Sequence, residues 1–224
     1  MRQFTGETFL GGRIGRSDAT EDGYFFEKCW FQGSEVSVGR SESTHVRVSN
    51  VELRRCRVSG GGLLGVHLVD CRVDGLQVSS FPMILGCVFE HVTLAGKINR
   101  LMIRPELPTV DDQAPFLAAA AKAYERIDWA LDISELDCKD LLIEGVPGRL
   151  IRRDRETQIL VRRDAIEGKP WREIDFSGTY LATSIDHMFR FGRPEVILAA
   201  PRTGPKKEAF LRVINDLRAI GVAE

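Results

Sequence analysis

Apolar residues recur every five positions along the N-terminal half of the chain. From Val46 the sequence divides into ten units of five, with one extra residue placed at Gly86. The first and third positions of these units give twenty sites, nineteen of them apolar, whereas the other thirty positions hold only six apolar residues. A helix would need spacings of three and four, and a long strand would alternate without interruption. The pattern therefore predicts short extended segments that each place two side chains in a core and then turn a corner.

If four such segments complete one turn of a coil, residues 20 apart lie beside each other on neighbouring strands. The outward positions agree with this spacing, because Glu52 would then lie beside Arg72 and Arg54 beside Asp74. Opposite charges on neighbouring strands contribute about 0.2–1 kcal/mol each. The sequence thus predicts a parallel coil with a 20-residue turn.

The same repeat continues on either side of this region. A looser version begins upstream at Tyr24, and a weaker one returns over 131–146, where Leu131, Leu136, Leu141 and Val146 recur every five residues. These units resemble those of the pentapeptide-repeat family, which place a small residue first and Leu or Phe third. The resemblance is to a divergent member of that family, and it implies a right-handed quadrilateral β-helix.

We therefore expect a mainly β protein, consisting of a short right-handed parallel β-helix of about four to five coils, a flanking helix and a small C-terminal α/β unit. The expected divisions are 1–108 for the pentapeptide-like β-helix, 109–148 for an amphipathic helix with one returning rung, and 149–224 for the α/β tail.

A helix is predicted directly after the coil. Asp111 or Asp112 offers an N-cap, and the helix should run to about Asp128. Its apolar face is formed by Phe116, Ala120, Tyr124 and Ile127. An amphipathic helix must pack on something, so we expect it to cap or flank the coil.

The tail holds several shorter elements. The sequences IRRD and VRRD, which flank the polar RETQ, predict two strands joined by a tight turn. Residues 174–184 fit either two more pentapeptides or part of a helix over 180–190. Glu195–Ala199 is typical of a short buried strand. The last helix should begin at Pro205 and end at Gly221, with Phe210, Val213, Ile214 and Leu217 on its buried face.

Charge and composition narrow the function. The 224 residues include 31 basic and 32 acidic side chains, which gives a net charge of −1. A general nucleic-acid binder usually carries a clear basic excess, so we do not expect nucleic acid as a partner. Some pentapeptide-repeat proteins resemble duplex DNA and inhibit topoisomerases, but that mimicry needs a strongly acidic surface. We expect another protein as the partner, and a homo-oligomer remains open.

The cysteines and the N-terminus bear on the compartment. Five cysteines without paired spacing argue against a disulfide framework and a metal site, and favour buried thiols in a reducing, cytoplasmic setting. Neither a signal peptide nor a membrane-spanning apolar stretch is recognisable. We expect no cofactor and no metal.

Two candidate sites emerge from the sequence. The first is a cluster of arginines that could bind an acidic partner along the predicted hairpin: Arg149, Arg152, Arg153, Arg155, Arg162 and Arg163. The second is Asp186 and His187 near Ser184, which have the residue types of a nucleophilic triad but lack a G-x-S-x-G elbow.

Two functions follow from these sites. The favoured one is a non-enzymatic protein-binding scaffold, such as a bacterial inhibitor or immunity-type protein that acts through a flat surface. The alternative is an enzyme with its site between the β-helix and the C-terminal unit, around Asp186, His187 and the arginine cluster.

Overall fold

The protein is mainly β, as the sequence predicts. The structure, a computed structural model, describes residues 1–14, 20–37, 45–80 and 83–223. Sixteen strands form one large parallel sheet that curls, and two further strands form a small antiparallel sheet. Four α-helices complete the described part of the chain.

The strands of the large sheet are β1 Arg2–Thr5, β2 Thr8–Leu10, β3 Arg13–Ile14, β4 Thr20–Glu27, β5 Trp30–Ser37, β6 Val46–Leu64, β7 Val66–Val69, β8 Arg72–Val78, β9 Met83–Leu85, β10 Val88–Glu90, β11 Val92–Ile98, β12 Leu101–Arg104, β13 Leu131–Asp132, β14 Leu136–Cys138, β15 Leu141–Ile143 and β16 Ile151–Arg152. The small sheet consists of β17 Gln158–Arg162 and β18 Glu195–Ala199. The helices are α1 Gln113–Tyr124, α2 Arg163–Ile166, α3 Leu181–Arg190 and α4 Lys207–Ala219, with short 3₁₀ turns at Gly148–Leu150 and Trp171–Glu173.

The long strand β6 lies in the middle of the large sheet. It is 19 residues long, and it pairs with β4 and β5 along one edge and with β7, β8 and β9 along the other. Leu53 lies opposite Val73, and Val58 lies opposite Val78. The predicted spacing of 20 residues between neighbouring strands is confirmed over this stretch.

The position of the extra residue differs from the sequence prediction. Leu63 lies opposite Ile84, which is a spacing of 21 residues. The Gly65 amide donates a hydrogen bond to the carbonyl of Leu85. Gly86 therefore occupies the place of Gly65, and the extra residue comes before Ile84. Met83, which the pattern placed inside, is 45% exposed. A shift of one residue exchanges the two faces of a strand, and Ile84 packs on the core where Met83 was expected.

Helix α1 flanks the large sheet. It begins after Asp112, whose side chain accepts a hydrogen bond from the Ala114 amide, and it buries Phe116 and Tyr124 as predicted. Val88, on the outer face of the sheet, is only 1% exposed. The Tyr124 hydroxyl accepts a hydrogen bond from the backbone next to Val88, at Phe89. Helix α1 therefore covers the sheet near Val88, an outward position that holds an apolar residue.

The segment after α1 returns to the large sheet, in the region where the sequence predicts one more rung of the coil. β13 and β14 pair with β11, and β15 pairs with β12. Leu131, Leu136 and Leu141 are all buried in the main core. The five-residue spacing of these leucines is therefore explained by their place on successive strands.

The predicted hairpin of IRRD and VRRD is wrong. Ile151 lies opposite Leu131 in the large sheet, whereas β17 pairs antiparallel with β18. The physical reason is burial on both faces: Leu160 of β17 packs in the main core, and its neighbours Ile159 and Val161 pack in a second core. Such a strand needs a partner that is apolar on both faces, and β18 supplies one.

The second core lies between the small sheet and the C-terminal helices. Residues 181–190 form α3, so the helical alternative for this region is correct and the pentapeptide alternative is wrong. The final helix is confirmed, with all four predicted residues buried. Leu160, Ile197 and Ala199 connect the small sheet to the main core. The C-terminal unit therefore packs directly on the curled sheet.

Candidate functional site

A straight row of outward side chains crosses the large sheet from its first strand to its last. The row is Gln3, Phe25, Glu52, Arg72, Thr93, Asp132 and Arg152, one residue from each of seven consecutive strands. Side chains alternate between the faces of a strand, and residues adjacent to the row on the later strands, such as Leu94 and Leu131, are buried. The row therefore lies on the outer face. Neighbouring strands are about 4.8 Å apart, so it extends for about 29 Å.

Charges on this outer face form compact pairs. Glu52 lies opposite Arg72, and Arg54 lies opposite Asp74, as the sequence predicts. The ion pairs differ from this register, however: Arg54 is 2.7 Å from Glu52 on its own strand, and Arg72 is 3.6 Å from both Asp74 and Glu135. Exposed pairs of this kind contribute at most about 1 kcal/mol. Their main effect is a surface on which positive and negative side chains alternate.

An aromatic and charged cluster stands at the last strand of the row. The guanidinium of Arg152 lies over the Trp129 ring, 4.1 Å from its centroid. The His91 ring packs on the same indole at 4.9 Å. Nε2 of His91 is 2.6 Å from Asp128, and Nδ1 is 3.3 Å from Asp70. The hydrogen bond with Asp128 is the main cause that raises the pKa of His91 above its ordinary value, and Asp70 adds to it.

The other arginines of the predicted cluster have separate surroundings, since the hairpin that would have aligned them does not form. Arg163 lies over the Phe189 ring, at 5.5 Å. The backbone carbonyl of Arg155 accepts a hydrogen bond from Arg218. Arg149, in the 3₁₀ turn, is exposed. Arg162 is opposite Glu195, on β18. Of the six, Arg152 belongs to the long row on the large sheet, and Arg153 directly follows that strand.

The residues of the second candidate site, Ser184, Asp186 and His187, have different partners in the structure. Asp186 points to Arg172, at 2.9 Å, and Ser184 is buried in α3. His187 turns towards the large sheet, where its Nδ1 lies 3.1 Å from Glu144. The predicted triad residues are therefore not assembled. Glu144, which is only 5% exposed, was not predicted as the partner of His187, because it lies 43 residues away along the chain.

Glu144 is the centre of an ionic network between the large sheet and the C-terminal unit. Arg193 donates from Nε to Glu144 at 3.2 Å, and its terminal nitrogen donates to Glu106. Arg104 approaches Glu144 at 3.5 Å. Burial is the largest single influence on Glu106 and would raise its pKa, but the hydrogen bond from Arg193, a backbone hydrogen bond and the charges of Arg193 and Arg104 together lower the pKa below its usual value.

A cleft of about 280 Å³ opens beside this network. Glu144, Arg193 and Glu195 contribute its polar groups, and Leu160 and Ile197 are among its apolar residues. The Gly148 amide donates to Glu195 at 2.5 Å, which ties down one of the carboxylates. His187 touches Glu144 but does not line the cleft. The ionic network therefore links the large sheet to the C-terminal unit, and it does not point the His187 imidazole into the cleft.

The five cysteines are buried, as expected, and each is a free thiol. Burial raises the pKa of Cys87 and of Cys138 to about 12. Within the described ranges no group of three or more His, Cys, Asp or Glu side chains is arranged to hold a metal ion. The thiols therefore act as small apolar groups of the core.

Comparisons with known proteins give no relative for this chain: no family model, curated protein or solved structure matches it. None of the helices in the described ranges is both long and apolar enough to span a membrane.

Proposed function

We propose that the curled sheet is a right-handed β-helix and that the protein is a non-enzymatic scaffold, which binds another protein through the outer face around the Gln3–Arg152 row. Two features support the β-helix: all the pairings in the large sheet are parallel, and they are 20 or 21 residues apart between β6 and β7, β8 and β9. Kinship with the pentapeptide repeats is part of this proposal.

The observation that carries the binding function is the row itself. Seven strands hold its side chains in register, so that the surface is fixed by backbone hydrogen bonds. A preformed surface loses little conformational entropy on binding, and this favours association with a second rigid body. Mixed charges at fixed spacing select partners by complementarity. An inhibitor or immunity-type protein of a bacterium, acting in the cytoplasm, fits such a surface.

A catalytic role has weaker support. The His187–Glu144 contact could orient an imidazole as a general base. In the described structure, however, Glu144 is shared with two arginines, and the cleft does not include the imidazole. We therefore favour the binding scaffold.

The test is site-specific photo-crosslinking in the native host. A benzophenone amino acid placed at Thr93, in the middle of the row, should give one discrete crosslinked product of higher mass. The same amino acid at the exposed Gln77, on a different part of the sheet, is the matched control. An excess of unmodified protein should compete the product away. Equal crosslinking from both positions, or none from Thr93, would overturn the proposed surface.

A further inference from the structure

The arginines on the outer face differ in how their charge is neutralised. Arg54 is paired with Glu52, and Arg72 is paired with Asp74. Arg152 stands at the end of the same row, and none of the carboxylates in the described residues lies within ion-pair distance of it. Its cationic head is therefore available to a group from outside the chain.

The neighbouring carboxylate that could have neutralised Arg152 is committed elsewhere. Asp132 lies directly opposite Arg152 on the adjacent strand. Its Oδ1 accepts hydrogen bonds from the backbone amide of Ser134, at 3.0 Å, and from the Ser134 hydroxyl, at 2.6 Å. This local turn holds one carboxylate oxygen of Asp132 against the residues that directly follow β13. The guanidinium is thus left with an aromatic support and no anionic partner.

Trp129 fixes the orientation of that guanidinium. Arg152 packs over the indole at 4.1 Å, and the His91 ring packs on the same indole. His91 is itself held by Asp128 at 2.6 Å. A stacked guanidinium keeps its N–H groups at the edge, in the fork that matches a carboxylate. Because the fork is already ordered, little rotamer freedom is lost when an anion binds.

We propose that Arg152, supported by Trp129, is the anchor that binds an Asp or Glu side chain of the partner protein. This inference rests on the proposed function and specifies the chemistry of the same surface. Arg and Trp are the residue types most enriched where truncation costs the most binding energy. Asp70, Asp128 and Asp132 surround the cluster, and they would repel a dianionic phosphate more than a singly charged carboxylate.

The test is a nuclear magnetic resonance titration of the full-length protein with two tripeptides, acetyl-Gly-Glu-Gly-amide and its Gln counterpart, at low salt. The indole N–H of Trp129, assigned with a Trp129→Phe variant, reports on the site. The Glu peptide should shift this signal saturably, and the Gln peptide should not. Arg152→Lys keeps the charge but loses the planar fork, so we expect roughly tenfold weaker binding of the Glu peptide.

The matched control is Arg54→Lys, because Arg54 also lies over an aromatic ring, that of Phe25, but is already paired with Glu52. This control should leave the titration unchanged. Equal shifts with both peptides, or equal binding by wild type and Arg152→Lys, would overturn the anchor. Crosslinking from Thr93 in the Arg152→Lys background distinguishes this proposal from the proposed function. If the crosslinked product persists while the Glu-peptide titration is negative, Arg152 is not the anchor but the proposed binding surface stands.

Discussion

The Glu144 carboxylate lies 3.1 Å from Nδ1 of His187, and this contact connects the last strands of the large sheet to α3. The carboxylate is almost completely buried, with 3% of the Glu144 side chain exposed, and it also forms an ion pair with Arg193. A buried charge that loses its partner costs far more than an exposed one. The ionic network at Glu144 is therefore a strong constraint on how the two units pack.

Glu144→Gln should lower the free energy of unfolding by about 2–4 kcal/mol, because two arginines would then lose their buried counter-charge. Urea denaturation with a fluorescence readout measures the change. Glu52→Gln is the matched control, since Glu52 makes a similar contact with Arg54 on the surface; it should cost less than about 1 kcal/mol. Similar losses in both variants would show that the network at Glu144 contributes no more than a surface pair.

Gly86 is the second position at which the structure makes a sharp prediction. It has φ +60°, and a Cβ there would meet the Phe116 ring at 2.7 Å and the Leu107 side chain at 2.9 Å. Gly86→Ala should therefore combine backbone strain with displacement of α1, and cost about 2–4 kcal/mol. Gly33 also has φ +60° but has nothing within 4 Å of a Cβ. Gly33→Ala should cost only about 1 kcal/mol.

Thermal unfolding of the two glycine variants separates the cost of the positive φ angle from the cost of steric overlap with Phe116 and Leu107. If Gly33→Ala is as destabilising as Gly86→Ala, the φ angle alone explains both losses, and the close approach of α1 to the sheet is not confirmed.

The sequence predicted the strand spacing within the large sheet but assigned the wrong partner to β17. Pairs such as Leu53 and Val73 follow from the five-residue period because the period sets which side chains reach the core. The slip before Ile84 could not be found, since Met83 and Ile84 are both apolar and either could face inward. The partner of β17 depends on burial on both faces. Local pattern carries no information about β18, in which Ile197 lies opposite Leu160 although 37 residues separate them.

The candidate site was predictable only in part. Arg152 was among the arginines singled out, and charge alone identified it. Its support on Trp129 depends on the return of β16 to the large sheet, which places two residues from different segments side by side. Glu144 carried no signal at all, because a lone glutamate after an apolar strand is ordinarily a surface residue.

The thiols provide a test of core packing. Burial raises the pKa of Cys87 and of Cys138 to about 12, so hardly any thiolate is present at pH 8. Native protein treated with iodoacetamide at pH 8 should remain unlabelled at both positions, and protein unfolded in guanidinium chloride should be labelled at both. Peptide mass spectrometry assigns the sites. Rapid labelling of Cys87 in the native state would show that the sheet opens locally beneath α1.

His45 should make the stability of the fold depend on pH. Burial lowers its pKa from 6.5 to about 4, and the ring packs on Phe116 at 4.3 Å while Nε2 lies 3.1 Å from the Gly86 carbonyl. Because the folded state holds the ring neutral, the unfolded chain binds more protons between pH 6.5 and pH 4. The contribution of His45 to stability is therefore fully present above pH 6.5. It is lost as the pH falls towards 4, by an amount on the order of 3 kcal/mol.

Urea denaturation at several pH values between 7.5 and 4 measures this dependence, and His45→Gln removes the titrating group while it keeps an amide that can donate to Gly86. Other groups titrate over the same range, among them His67, so the informative quantity is the difference between wild type and variant. That difference should shrink or reverse in favour of the variant as the pH falls through 6.5. If the two curves remain parallel down to pH 4, His45 is accessible to water in the folded state, and the packing of α1 against the sheet at Phe116 is looser than the structure shows.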